Sequence, residues 1–229
     1  MSKKILEVNK LKKIFKHNNK IIELFKNVNL SVKKGELVAL VGPSGSGKST
    51  FLHLLALLDV PSSGKILFFN KDAKNFTSDQ KDKIRQEKIS IIFQNNNLLG
   101  DFTTIENILM PLIIRNEDPL KAKKKGNEIL KAVKLSDRAD HFPSQLSGGE
   151  QQRVAIARAL ISQTDLILAD EPTGNLDYNT SNDIFSYFLK LKKMNKAIIF
   201  ATHNRELANK ADYKLSIFNG NIKRVNGKK

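Results

Sequence analysis

The chain has 229 residues, 40% of them hydrophobic, no cysteine, and a formal net charge of +16 from 39 Lys+Arg against 23 Asp+Glu. That length fits one large domain, or one domain with a subdomain, and can bury a core. The lack of cysteine excludes disulfides, thiolate metal sites and a thiol nucleophile.

No apolar run approaches the ~18 residues that span a bilayer. The opening MSKKILEVNK has no apolar stretch of the signal-peptide kind, so a cytosolic chain is expected. The basic excess is mostly scattered Lys, which reads as solvated faces. The alternative is a phosphate-bearing partner such as nucleic acid or anionic lipid.

Ile5–Lys10, Ile21–Leu24, Val28–Val32 and Ile66–Asn70 read as short strands joined by turns, hence an antiparallel sheet at one edge. Between them, LVALVGPSGSGKSTFLHLLALL (37–58) reads strand, glycine-rich loop, helix. The pattern G-x-x-x-x-G-K-[ST] falls on Gly42, Gly47, Lys48 and Ser49, within the loop Gly42, Pro43, Ser44, Gly45, Ser46, Gly47, Lys48, Ser49, Thr50. Its glycines let successive amides turn toward one anion, and the helix start adds partial positive charge. Lys48 is expected to reach the outer phosphates of a nucleotide, and the Ser49 hydroxyl to ligate Mg²⁺. A plain Gly/Ser turn is the alternative.

Apolar runs without alternation recur at LVALV (37–41), ISIIF (89–93), LILAD (166–170) and AIIFAT (197–202). Such runs suit strands buried on both faces, hence a parallel sheet in an α/β core. FQN (93–95) ends one of them, and Gln94 could sense a metal or a water there. From about 95 to 150 the chain is helix-like, punctuated by Pro111, Pro119 and Pro143, and reads as a helical subdomain inserted in the core. Within it, 120–134 has helical spacing with Leu120, Ile129, Leu130 and Val133 as its apolar positions.

PSQLSGGEQQRVAIARAL (143–160) then opens a second glycine-rich helix start at Gly148 and Gly149. A buried strand ending in Asp170-Glu171 needs a cation or a cleft. Asp170 fits a Mg²⁺ role through a water, and Glu171 could polarise an attacking water. A strand-end turn before Pro172 is the bland alternative. Helical spacing returns over 182–194, and His203 follows the last apolar run, where it could bond a γ-phosphate.

The ordered set GPSGSGKST, Gln94, LSGGE (146–150), ILADE (167–171), GNLD (174–177) and His203 resembles the ATP-binding subunit of ABC transporters, over roughly Lys3 to Asn226. The resemblance implies a P-loop NTPase (RecA-like) parallel-sheet core, an N-terminal antiparallel β subdomain and an inserted helical subdomain, all in one domain over 1–229. It implies ATP and Mg²⁺ as cofactors, with Ser49, Gln94 and Asp170 on the metal side and Glu171, His203 and Gln94 on the catalytic side. Phe15 stands where the family places an aromatic, usually Tyr, that stacks on adenine. Asp177 matches the loop that links two active sites, and Asn204 stands where many relatives have Asp.

The family pairs two such chains head to tail, so that Ser147, Gly148 and Gly149 of one cover the ATP on the other's phosphate loop. Two anion-binding helix starts serve one triphosphate only if they converge, and a two-fold homodimer converges them in pairs.

Four stretches, 51–64, 96–112, 138–150 and 169–177, resemble the group shared by lipoprotein-release ATPases, MacB-type exporters and FtsE, with the first as the nearest match. This implies integral membrane permease subunits docking near Leu98–Leu112, where Leu98, Leu99, Phe102 and Met110 read equally as core. It also implies lipoprotein cargo handled indirectly, and a peripheral place on the cytoplasmic face of the inner membrane. The chain's end soon after its last core element leads to the expectation that the membrane part is a separate subunit.

The alternatives are a MacB-type exporter ATPase with a separate membrane subunit and an FtsE-like cell-division ATPase that moves no cargo. A DNA-associated relative is disfavoured, because the two glycine-rich helix starts lie about a hundred residues apart with no heptads and no Cys between them. No specific nucleic acid is expected.

Overall fold

The computed structural model describes residues 3–17, 20–174 and 176–226. Two sheets enclose one short helix. The N-terminal sheet has the antiparallel order β2-β1-β4-β5, with β1 at Lys4–His17, β2 at Lys20–Lys33, β4 at Ser63–Phe68 and β5 at Lys71–Asp72. The segments Ile21–Leu24 and Val28–Val32, expected as separate strands, are parts of the single strand β2.

Bulges explain the continuity. The β1–β2 register shifts between Val8 and Leu11 and again on either side of Lys13. A bulge absorbs an extra residue and re-aims side chains without ending the ladder. At the first bulge Lys10 takes φ 49°, and its amide donates to Asn29 Oδ1 at 2.9 Å. The expected strand over 66–70 stops at Phe68, because Phe69 and Asn70 take left-handed φ values of 48° and 66° to turn into β5.

The second sheet has the order β10-β9-β3-β8-β7-β6, with β3 at Leu37–Val41, β6 at Ile89–Ile92, β7 at Leu166–Asp170, β8 at Ala197–Ala201, β9 at Tyr213–Phe218 and β10 at Asn221–Asn226. Strands β6 to β9 and β3 run parallel, and β10 returns antiparallel on β9. The four apolar runs are β3, β6, β7 and β8; every residue of β7 and β8 is buried. The α/β architecture, with its parallel core and antiparallel N-terminal sheet, is the one expected.

Among the described residues seven α-helices connect these strands: α1 at Lys48–Leu55, α2 at Ser78–Lys88, α3 at Thr104–Ile114, α4 at Pro119–Ala132, α5 at Gly148–Ile161, α6 at Tyr178–Lys193 and α7 at Arg205–Asn209. Of the prolines read as punctuation, Pro119 does open α4, but Pro111 lies inside α3. A Thr103–Glu106 capping box starts that helix and buried Ile108 and Leu112 hold it, which outweighs one missing backbone bond.

Helix α1 lies in the core shared by both sheets. Its Phe51, Leu54 and Leu55 are buried with Phe25 and Phe68 of the N-terminal sheet and with Leu40 and Tyr213 of the parallel one. Phe25 and Phe51 meet edge to face at 5.5 Å. On the opposite face of the parallel sheet a second apolar cluster joins the strands with residues of α3 to α7, and there Phe185 meets Phe200 edge to face at 5.6 Å.

Candidate functional site

The C-terminal edges of the parallel strands lie side by side. Ile92 pairs with Ala169, Asp170 with Ala201, and Leu40 with Ala201. That register sets Gly42, Thr202, Glu171 and Gln94 along one edge, where an open α/β sheet presents its ligand crevice.

The loop from Gly42 leads into α1 through Gly47, the N-cap, at φ 95°. A side chain there would be strained, and its Cβ would press on Leu24 at 2.9 Å. Lys48 is 7% exposed, and its Nζ donates to the carbonyls of Gly42 at 3.0 Å and Pro43 at 3.2 Å. A buried ammonium whose hydrogen bonds go to neutral carbonyls suits an arriving anion. Pro43, Ser44 and Gly45 are exposed, while Ser46, Ser49 and Thr50 are half-buried.

Asp170 ends β7 and is 8% exposed. Glu171 follows in the left-handed region at φ 48°, an uncommon place for a side-chain-bearing residue. Four contacts hold it there. Its amide donates to Ala201 O at 3.1 Å, and its carbonyl accepts from Gly174 N at 3.1 Å and from Gln152 Nε2 at 3.0 Å. Its Oε2 accepts from the His203 amide at 3.3 Å.

Oε1 lies 3.3 Å from His203 Nε2 but not in hydrogen-bond geometry, and it is buried without a partner. Burial raises the Glu171 carboxyl above its ordinary range, against the pull of His203 and Lys48. His203 is exposed and flanked by cavities of about 420 and 470 Å³. Asn204 caps α7, its Oδ1 accepting from Leu207 N at 3.1 Å. Gln94 is exposed just beyond β6.

The other expected residues reach this edge from elsewhere. Phe15 is 41% exposed and faces Ile22 across the β1–β2 ladder. Leu24, two residues further along β2, is the side chain seated against Gly47, so this end of the hairpin lies beside the phosphate loop.

Ser147 is the N-cap of α5 in a capping box. Its Oγ accepts from Glu150 N at 3.3 Å, and Glu150 Oε2 accepts from Ser147 N at 2.8 Å. Those bonds, with Arg138 Nε at 3.1 Å, hold the Glu150 carboxyl down to about 2. Ser147 and Gly148 are exposed, Gly149 is half-buried, and a Cβ on Gly148 would meet nothing within 4 Å. This tip faces open space. Asp177 caps α6, accepting from Thr180 N at 3.0 Å and Thr180 Oγ1 at 2.6 Å, and its carboxyl is lowered by those bonds. Asn175, within the GNLD stretch, lies outside the described residues.

Sequence reasoning missed Gln152. It is 1% exposed and ties α5 to the Glu171 backbone. Its one signal was a polar residue on the buried face of an otherwise apolar helix.

These residues fit a nucleoside triphosphate with a divalent cation. Buried Ser46 Oγ has no hydrogen-bond partner, and with Lys48 it lines the loop that would take the phosphates. Among the described residues no group of three or more His, Cys, Asp or Glu could cage a metal. A cation here would therefore draw part of its shell from phosphate oxygens, as Mg²⁺ commonly does.

A separate groove of about 530 Å³ runs between α2, β6, α3 and α5, lined in part by Phe93, Met110, Pro111, Ile114 and Arg158. Leu98 and Met110 are half-buried, whereas Leu99 and Phe102 are exposed. Among the described residues no helix is long and apolar enough to cross a membrane.

A family model described as ABC transporter matches residues 25–174. The chain is 45% identical to the lipoprotein-releasing system ATP-binding protein LolD of Rickettsia bellii, over 94% of this chain and 96% of the relative. It is 43% identical to the protein of the same name from Bordetella pertussis, over 95% and 94%. Among solved structures, the dimeric post-hydrolysis cassette MJ0796 bound to ADP and Pi superposes with a TM-score of 0.94 at 36% identity, over 98% of this chain and 100% of that one. A nucleotide-free ABC transporter cassette gives 0.82 at 28%, over 98% and 92%. The crevice at the strand ends, the glycine-rich loop and these likenesses agree: the chain belongs to the ABC transporter family and is an ATP-hydrolysing, ATP-binding cassette.

Proposed function

We propose that the chain is the ATPase subunit of a lipoprotein-releasing ABC system and works as a homodimer. The observation that carries the catalytic part is the convergence of Lys48, Asp170, Glu171 and His203 at one sheet edge. The LolD relatives support the task, and the dimeric MJ0796 structures support the assembly.

In this reading Lys48 leaves the Gly42 and Pro43 carbonyls for the outer phosphates of ATP. Amides of Ser44 to Thr50 and the α1 start cradle the chain of phosphates. Ser49 and Asp170, with Gln94 beside them, would hold Mg²⁺, which when bound neutralises charge on the phosphate oxygens. Glu171, burdened by burial, accepts the proton of the attacking water; His203 orients the γ-phosphate end. Phe15 takes the base.

Ser147, Gly148 and Gly149 of the second chain close over the triphosphate, and Asp177 stands at the seam between the two sites. Closure pulls membrane subunits seated in the groove near Leu98, Leu99, Phe102 and Met110, from the cytoplasmic face of the inner membrane.

Glu171→Gln chain with ATP, used to pull partners from mildly solubilised native membranes, tests the task by mass spectrometry. Two related membrane subunits together with lipoproteins are expected. A single small membrane protein with division factors would instead give the engine a signalling role.

A further inference from the structure

Most lysines of this chain sit at the surface, but Lys13 is 7% exposed. A buried ammonium needs partners, and it has three donors to place. Nζ donates to Asp59 Oδ1 at 2.7 Å and to Val60 O at 2.9 Å. On a further side it lies 4.9 Å from the centroid of the Phe15 ring, within the range of a cation–π contact.

The seat is stitched at more than one point. Ser62 N donates to Lys12 O at 2.9 Å, and Ile14 N donates to Ser62 Oγ at 2.9 Å. Residues 59–62 follow α1, whose first residue is Lys48. The β1–β2 register shifts on either side of Lys13, each time with the extra residue on β2, so Lys13 is paired with Phe25 between two bulges of the partner strand. The ring is thus fixed relative to the far end of the helix that begins at the phosphate loop, while 41% of Phe15 stays exposed.

We infer that Lys13 is a positioning residue for base recognition: anchored on Asp59 and Val60, its ammonium holds the Phe15 ring as a preformed platform for the base of the bound nucleotide. This rests on the assignment of Phe15 to the base. A half-exposed phenylalanine with free rotamers would have to be ordered when the base arrives, and a ring already held avoids that cost.

The test compares two ligands by isothermal titration, ATP and inorganic tripolyphosphate, without added metal so that no turnover occurs. Tripolyphosphate reads the phosphate loop alone. Lys13→Met is expected to weaken ATP binding ~3–10-fold, the range of a cation–π contact, and to leave tripolyphosphate binding within about twofold. Lys13→Arg, which keeps a cation over the ring, is expected to restore most of the loss. Lys13→Met strands Asp59, so Asp59→Asn is measured beside it; loosening the anchor is expected to give a smaller loss of the same selective kind.

Phe15→Ala separates the two ideas. Selective loss of ATP in Phe15→Ala with none in Lys13→Met or Asp59→Asn overturns the inference and leaves the Phe15 assignment standing. No loss in Phe15→Ala removes that assignment and the inference with it. Equal loss of both ligands in the Lys13 and Asp59 variants means a general effect on the fold and also overturns it, as does failure of Lys13→Arg to recover ATP binding.

Discussion

His203 meets both oxygens of the Glu171 carboxylate: its amide donates to Oε2 at 3.3 Å, and its ring Nε2 stands 3.3 Å from Oε1 without a hydrogen bond between them. The two residues leave adjacent parallel strands, β8 and β7, so the contact is built by the sheet register.

That contact predicts a pH dependence. Burial raises the Glu171 carboxyl, and the base is lost when it takes a proton, so turnover should fall as pH drops through a value above the ordinary 4.5. His203 pulls the carboxyl down, so His203→Ala should move this acid limb to higher pH, beyond any loss of rate. Glu171→Gln should bind ATP and lose ~10²–10⁴-fold in turnover. A pH–kcat profile of the three proteins checks both; an acid limb unmoved in His203→Ala would reject the coupling.

Shared sites predict complementation. Ser147→Arg and Lys48→Ala should each be inactive alone. Mixed heterodimers should recover one intact site, seen as ATPase activity that appears only on mixing. Absence of recovery in verified heterodimers counts against contact in trans.

Gln152 donates to the carbonyl of a residue held at φ 48°. Gln152→Met keeps the volume and removes the donor, so the carboxylate drifts from its productive place. Turnover should fall ~10-fold or more, since small misplacements of reacting groups are costly, while ATP affinity stays near that of the parent. A joint loss of kcat and affinity would point to a wider rearrangement.

Asp165, far from the crevice at the start of β7, draws in Lys34 at 3.1 Å, Lys88 at 3.7 Å and Lys196 at 3.8 Å. Burial opposes its ionisation, but the three lysines prevail and lower its carboxyl. A carboxylate depressed in the folded state stabilises above its unfolded value, near 3.8, and gives up that contribution as pH falls through the folded one. Asp165→Asn should therefore be less stable than the parent at pH 7, by no more than ~1 kcal/mol for a partly exposed cluster. Urea unfolding at falling pH should show the gap closing toward strong acid.

Much of the crevice was legible because its chemistry is local. The phosphate loop carries its spacing in consecutive residues, and β7 announces itself by five apolar or terminal positions buried on both faces. Long-range features left no local mark. The unity of β2 depends on register shifts against β1 that place extra residues on both strands. Helix α2 has no buried residue, hence no apolar stripe, and only its Thr77–Gln80 capping box betrays it. Strand β9 alternates, burying Tyr213, Leu215 and Ile217, and so carries no continuous apolar run. Leu120, expected on the apolar side of its helix, is 81% exposed, because the buried stripe of α4 runs through Ala122, Gly126 and Leu130 and Leu120 lies off it. The left-handed backbone of Glu171 arises from three separate elements and no short motif spells it.

Helix α1 is enclosed by both sheets, so the loop that takes phosphate exists only while the whole core does. ATP is therefore a folding ligand as well as a fuel. At a thousandfold excess over Kd it adds ~4.1 kcal/mol to stability, about what a buried Leu54→Ala cavity removes, ~2–5 kcal/mol. Such a damaged chain should melt early when bare and near-normally when saturated, and the nucleotide pool around it would decide how many core mutations it survives.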